Sequence, residues 1–353
     1  MFESIGYLEW MAGRPEAALY DLGTSALRGD RDHGREPLPG PVGDLDDPPA
    51  GVTLHTQLAA AYGVDPEQVV VTAGASHADF LAAAAALSEA DGRVLVEKPG
   101  YEPLVRTPAA LGAAVDRFVR PDGYRLDPDR VADAADDGTR LVAVTNRHNP
   151  SGRLADRETL AAAAAAARDA DARLLVDEAY AAYLEAPTGG GPFGGVTAAG
   201  IDGAVVTDTL SKFPGLPELR VGWLVADAGF AETVRRVKHH VPAVADATVA
   251  LAERVLHAER VAAETRELLR ANADLLGEFV ADRPALDGEV HTSYAFLDPP
   301  TGGDELAAAA GEEGLLVVPG RFFDDAGRVR VSLGRDTEDC AAALGALGAV
   351  LDR

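Results

Sequence analysis

A chain of 353 residues, 47% of them hydrophobic, is long enough to bury a substantial core and too apolar to be disordered. Its net charge of −25, from 57 acidic against 32 basic side chains spread along the chain, argues against a nucleic-acid surface, which needs clustered Lys and Arg. One cysteine, Cys340, excludes an intrachain disulfide and fits a reducing cytoplasm. No apolar run is long enough to span a membrane, and "MFESIGYLEWMAGRPEAAL" lacks the basic start and apolar core of a secretion signal. The dispersed acidity, abundant alanine and scarce lysine fit a high-salt cytoplasm, where screening makes such self-repulsion tolerable.

In chain order, residues 1–50 are irregular and rich in Gly and Pro, which predicts an arm or extended loop. Helical and extended patterns then alternate. "LHTQLAAAYG" reads as a helix with a glycine stop, "QVVVTAG" as a buried strand and "ASHADFLAAAAALS" as a helix. "RVLVEKP", "AAVDRFVR", "TRLVAVTN", "RLLVDEAY", "GAVVTDTLS" and "RVGWLVA" read as further strands, with helices at "DRVADAADDG" and "DRETLAAAAAAARDA". Short apolar strands alternating with helices predict an α/β fold whose mostly parallel sheet is covered on both faces. Beyond about residue 230 come long helical patterns, continuous over 246–283, then "VHTSYAFLDPP", "GLLVVPG" and "RVRVSLG", three strands of a smaller α+β unit closed by "TEDCAAALGALGAVLDR". The expected division is an N-terminal arm (1–45), a large domain (46–235) and a small C-terminal domain (236–353).

Parallel sheets place ligands at the C-terminal ends of their strands, and several polar residues fall there. "AGASH" follows the strand "VVVT" and opens a helix, whose free N–H groups and dipole make an anion site. "NRHNPSG" follows "LVAVT", Asp177 and Tyr180 end "LLVDEAY", and Ser211-Lys212 follow "VVTDT". Lys212 is one of only three lysines, with Lys98 and Lys238, in a chain that otherwise uses arginine. An amine that must lose its proton and attack a carbonyl cannot be replaced by a guanidinium.

In family order and at family spacing, "GAS" (74–76), "PGY" (99–101), "NPSG" (149–152), "DEAY" (177–180), Ser211-Lys212 with Arg220, and "VRVS" (329–332) cover roughly residues 50 to 335. Each piece is weak alone; six in order are specific. Together they resemble the class I/II aminotransferases among fold-type I pyridoxal-phosphate enzymes. The resemblance implies a cytoplasmic homodimer that moves an amino group from an amino acid to a 2-oxo acid by a ping-pong route. It makes Lys212 the residue that forms the imine with the cofactor and then shuttles the α-proton. It implies Asp177 at the ring nitrogen, Asn149 and Tyr180 at the phenolic oxygen, and Tyr101 stacked on the ring. Ala75 and Ser76 N–H groups, Thr209, Ser211 and Arg220 would hold the phosphate, and Arg330 the substrate carboxylate. A decarboxylase or lyase on the same scaffold, resembling threonine-phosphate decarboxylases, is the alternative, and a non-catalytic binding protein a remoter one.

Blander roles compete. Lys212 could be an exposed loop lysine, Asp177 a cap or ion-pair partner, and Tyr101 and Tyr180 half-buried packing residues. Arg328 shares the side of its strand with Arg330, so the choice between them rests on the family's "R-x-S" pattern. Arg147 reads as a loop arginine in a salt bridge rather than a reader of an acidic substrate group. His239 and His240 read as part of a solvated helix face, and no histidine spacing suggests a metal. No G-x-G-x-x-G follows the strand "QVVVTAG", and no P-loop or G-x-S-x-G nucleophile-elbow motif is present. The chain departs from the family at Ser25, where a glycine is expected, at Glu218 and His77, and in "REPLPGPVGDLDDPPAG", which has no tyrosine to reach a partner's phosphate.

Overall fold

The computed structural model describes residues 5–25, 40–89, 92–183 and 190–353. In chain order its strands are β1 (Tyr20–Asp21), β2 (Val69–Thr72), β3 (Arg93–Lys98), β4 (Ala114–Val119), β5 (Thr139–Thr145) and β6 (Arg173–Asp177). They continue with β7 (Ala204–Thr209), β8 (Gly222–Val225), β9 (Tyr294–Leu297), β10 (Leu315–Leu316), β11 (Val318–Pro319) and β12 (Val329–Ser332).

Seven strands form one sheet in the order β2-β8-β7-β6-β5-β3-β4. Neighbours from β7 to β4 run parallel, whereas β8 is antiparallel to both β2 and β7. The reversal follows from the connection: between β7 and β8 the chain makes only the short turn Pro217–Leu219, with no crossover helix to return it for parallel pairing.

Alternation along each central strand divides its side chains between two cores. Val142, Val144, Leu174, Val176 and Val206 face one; Leu141, Ala143, Leu175, Val205 and Leu224 face the other. This is why the strands read as continuous apolar runs. Helices Leu54–Tyr62, Arg157–Asp169 and Asp246–His257 cover the first core. Ala75–Glu89 and Ala228–Lys238 cover the second, where Leu81 and Phe230 are fully buried, each contributing about 1.5–3 kcal/mol. Thr53 caps the helix Leu54–Tyr62 through a reciprocal bond with Thr56, and Gly63 ends it in the left-handed region at φ 67°.

The C-terminal strands form a separate antiparallel sheet, β11-β12-β9. A third core around Leu276, Leu297, Val331 and Leu344 joins it to helices Glu259–Ala281 and Thr337–Leu351. The closing helix and the strands in "VHTSYAFLDPP" and "RVRVSLG" are present, whereas "GLLVVPG" is divided between β10, which pairs with β1, and β11, which pairs with β12. The long helical pattern is not continuous: it breaks at Ala258 (φ −96°, ψ 93°), separating Asp246–His257 from Glu259–Ala281. His239 and His240 are exposed, but in the turn after Ala228–Lys238 rather than on its face.

The largest departure concerns the first residues. The described part of 1–50 is not an extended arm: it holds the short helices Gly6–Met11 and Arg14–Ala17, and β1 pairs in parallel with β10. The Leu22 carbonyl accepts from Ser332 N at 2.9 Å, and buried Tyr7 packs with Phe296 and Phe323. A two-residue strand and a six-residue helix have no periodicity to read; pairing with the C-terminal segment creates them.

Candidate active site

The C-terminal ends of β5, β6 and β7 converge with the start of helix Ala75–Glu89. Ala75, Ser76, Tyr101, Asn149, Asp177, Tyr180, Thr209, Ser211, Lys212 and Arg220 line one cavity of about 160 Å³ there. All the cofactor-side residues expected from the sequence are thus brought together, with Asp79 added.

Lys212 lies three residues beyond β7, its backbone carbonyl accepting from the Tyr183 hydroxyl at 3.3 Å. Its Nζ donates to Ser25 Oγ at 3.1 Å, an oxygen that also accepts from Tyr180 OH at 2.7 Å. Burial lowers the amine's pKa; Arg330 and Arg220 lower it further, while Tyr7 and Asp177 act the other way. Such an amine gives up its proton more readily than a surface lysine.

Asp177 is the last residue of β6 and is buried. Burial raises its carboxyl to about 6, against the lowering effects of the Ala179 N–H bonded to Oδ1 at 3.0 Å and of the Lys212 charge. Behind it Glu97 forms a fully buried pair with Arg120, 2.5 Å apart, and accepts from Thr145 N and Oγ1 at 2.8 and 2.7 Å.

Across the cavity is an anion cradle. Arg220, in the left-handed region at φ 49°, donates from Nη1 to Ser211 Oγ at 3.3 Å and from Nη2 to Ala73 O at 2.9 Å. Thr209 Oγ1 and Ser211 Oγ lie 3.1 Å apart. Gly74 is required between this arginine and the helix: its φ is 100°, and a Cβ there would come within 2.7 Å of Arg220 Nη2. Two hydroxyls, a guanidinium and a helix N-terminus suit a phosphate dianion. Glu218 is exposed, and His77 Nδ1 accepts from Ala73 N at 3.1 Å.

Arg330 is 1% exposed and stands on the far side of Asn149. Nη1 donates to Asn149 Oδ1 at 2.8 Å, and Nη2 to Gly23 O at 3.0 Å and Tyr7 OH at 3.2 Å. No ion pair to Arg330 occurs among the described residues, and its buried Nε lacks a partner. A buried guanidinium held by neutral groups is poised for a carboxylate brought by a ligand. Arg328 instead lies 3.7 Å from each of Asp287, Asp298 and Asp325. Geometry therefore separates two arginines that strand periodicity could not.

Pyridoxal 5'-phosphate fits these residues: a phosphate cradle, a buried carboxylate, a desolvated amine between them and, beyond, a guanidinium with no carboxylate partner among the described residues. Comparison with known proteins agrees. The sequence model for aminotransferase class I and II matches residues 47–347. The chain belongs to that family. Histidinol-phosphate aminotransferase of Halobacterium salinarum is 31% identical over 294 residues, 81% of this chain and 77% of the relative. Capreomycidine synthase of Streptomyces vinaceus is 30% identical over 296 residues, 79% of this chain and 73% of the relative. A pyridoxal-phosphate-dependent aminotransferase of Streptococcus suis superposes with a TM-score of 0.84 at 22% identity, covering 100% of this chain and 98% of that one. The protein is accordingly a fold-type I, pyridoxal-phosphate-dependent aminotransferase, taking amino acids and 2-oxo acids as substrates.

Sequence reasoning missed two residues in this aminotransferase. Asp79 lies inside an alanine-rich helix, where an aspartate reads as surface charge. Tyr7 precedes every motif, in the segment taken for an arm. Arg147, expected as a loop arginine in a salt bridge, is a buried loop residue that donates to the carbonyls of Gly152, His291 and Tyr183 at 3.2, 3.2 and 3.0 Å. It clamps loops together. Of the "REPLPGPVGDLDDPPAG" segment, residues 35–39 lie outside the described residues.

Proposed function

We propose that Lys212 is the residue that holds the cofactor and moves the substrate α-proton, within a ping-pong exchange of an amino acid for a 2-oxo acid. Pyridoxal phosphate, when bound, supplies the electron sink that lets the Cα–H bond break. Lys212 Nζ takes that proton and returns it, a task suited to an amine whose pKa burial has lowered. Asp177 holds the ring nitrogen's proton, and Asn149 and Tyr180 orient the phenolic oxygen. Tyr101 covers the ring; Ala75, Ser76, Thr209, Ser211 and Arg220 hold the phosphate. Arg330 grips the α-carboxylate. The observation that carries this reading is the Lys212 amine, desolvated and bonded to a neutral hydroxyl between Asp177 and the phosphate cradle.

We further read the enzyme as a cytoplasmic homodimer adapted to high salt, with a cofactor-holding domain (46–235) and a small domain (236–353), residues 5–25 packing on the small domain rather than forming a free arm. No described helix is long and apolar enough to cross a membrane. Histidinol phosphate is the first donor to assay, since relatives at 30–31% identity carry that name. The second reading is a decarboxylase or lyase on the same scaffold, and a relative named a synthase rather than an aminotransferase, capreomycidine synthase, favours keeping it. Visible absorption of protein purified in high salt with pyridoxal phosphate separates them. Bleaching of the bound-cofactor band by a donor, with oxo acid released and the band restored by a second oxo acid, supports transamination. A persistent band with carbon dioxide, ammonia or a cyclised product supports the second. A band that survives in Lys212→Ala removes that residue's role.

A further inference from the structure

Asp79 is 7% exposed and lines the same cavity as Asp177. It reaches the sheet from the helix Ala75–Glu89, and its Oδ1 accepts from Thr207 Oγ1 at 2.7 Å. Thr207 is the direct cross-strand partner of Asp177 in the β6–β7 ladder, and its carbonyl accepts from Glu178 N at 2.8 Å. Two carboxyl groups therefore sit on one buried floor, joined through a single threonine.

The floor has too few cations for two charges. Arg120 is committed to Glu97, and the charge of Lys212 acts on Asp177. Two carboxylates in one desolvated pocket cannot both ionise cheaply, so one keeps a proton. The hydrogen bonds decide which. Asp177 receives a backbone N–H at Oδ1 as well as the Lys212 field. Among the described residues, the one hydrogen bond given to Asp79 comes from a neutral hydroxyl, which satisfies the C=O of a carboxylic acid but compensates an anion poorly.

We propose that Asp79 is a positioning residue: a neutral carboxylic acid that leaves Asp177 as the single anion at the position of the cofactor's ring nitrogen. Burial and the Asp177 charge both push Asp79 well above the usual carboxylate range, in agreement. Besides Tyr101, Lys212 and Glu97, the buried acids Glu178 and Asp208 and the phenols of Tyr180 and Tyr294 also feel the Asp177 charge, and none of these four adds a cation to the floor. A second anion would repel Asp177 and draw protons to the floor; a neutral acid leaves one negative charge opposite one protonated ring nitrogen. The ring's placement rests on the proposed role of Asp177, whereas the protonation of Asp79 is a property of the apo-protein.

Infrared difference spectra of the apo-protein at neutral pH test it. Wild type minus Asp79→Asn is expected to show loss of a protonated carboxylic acid C=O stretch, with the carboxylate bands unchanged. Thr207→Val, which removes the donor without touching the acid, is expected to shift the same stretch upward. Pyridoxal phosphate should bind Asp79→Asn within about threefold of wild type, because the amide reproduces the neutral acid's shape. Loss of a carboxylate band instead of an acid band would overturn the proposal, as would a fall in affinity of more than about tenfold in a folded Asp79→Asn protein. If Asp79→Asn does not fold, the Thr207→Val shift decides alone: no shift of an acid band overturns the assignment. Failure of cofactor binding in wild type would leave these apo-protein spectra intact and count against the site reading only.

Discussion

Lys212 and Ser25 meet at 3.1 Å, so the side-chain acceptor for the amine is a hydroxyl and not a carboxylate. A lysine paired with a buried carboxylate would hold its proton; one bonded to a hydroxyl in a desolvated pocket is easier to deprotonate. Lys212→Ala should therefore lower turnover by at least about 10²–10⁴-fold, the range lost with a general base, while leaving the fold intact. Single-turnover kinetics beside far-ultraviolet circular dichroism check both halves. A folded variant keeping a tenth of the activity would remove Lys212 from the chemistry.

The acids around the site make stability depend on pH in an unusual direction. Burial raises Asp177 to about 6 and Glu178 to about 8, although the N–H of Ala198 bonds Glu178 at 2.6 Å. Their folded-state pKa values exceed the unfolded ones, so between the two the folded chain binds more protons and unfolding releases them. Stability is then greatest below about pH 4 as far as these groups go, and declines as pH rises towards 8, each group contributing at most about 1.4 kcal/mol per pH unit. Thermal melts of the apo-enzyme at fixed high salt should show Tm falling from pH 5 to 8. Glu178→Gln should flatten the upper half of that slope, and an unchanged slope would contradict the assignment.

Much of this was legible because chemistry and strand ends coincide in a parallel sheet. Lys212, Asp177 and Asn149 each follow an apolar run, and a lysine is conspicuous in an arginine-rich chain. What stayed hidden depends on tertiary pairing. β1 exists only because Tyr20–Asp21 lies against Leu315–Leu316, so its two residues carry no pattern of their own. Tyr7 reaches Arg330 across 323 positions of sequence, and nothing local marks it. Asp79 looks like a solvated helix residue until the Thr207 hydroxyl beneath it is seen. The reversal of β8 was hidden for a related reason: a strand's apolar run does not encode its direction.

Beneath the site, Glu97 and Arg120 form a pair with side chains 0% and 2% exposed. Glu97 also takes both donors of Thr145, and Arg120 reaches the carbonyl of Tyr124 at 2.9 Å. Arg120→Met would leave the carboxylate buried with only hydrogen bonds from Thr145. Removing one partner of such a pair costs about 3–5 kcal/mol, far more than replacing both. Denaturant titration should show that loss for Arg120→Met and a smaller one for Arg120→Met with Glu97→Gln. Equal losses would mean the charge on Glu97 is not what makes the single change costly.

Arg330 ties the N-terminal segment to Asn149 at the cavity. Nη2 is shared between Gly23 O and Tyr7 OH, Nη1 goes to Asn149, and Nε has no partner among the described residues. In the role proposed for Arg330, an incoming carboxylate would gain a two-pronged contact from this head group, whereas a lysine would offer one point charge. Arg330→Lys should raise KM for amino acid and oxo acid alike by about 10–100-fold, one to two factors of 1.4 kcal/mol, with cofactor affinity nearly unchanged. Tyr7→Phe removes one neutral hydrogen bond to the guanidinium and should raise KM by about threefold to tenfold, consistent with 0.5–1.5 kcal/mol for such a bond. Steady-state kinetics with both half-reactions separates the two effects. If Tyr7→Phe matched Arg330→Lys, the hydroxyl itself would be touching substrate, and Tyr7 would belong to the carboxylate grip rather than behind it.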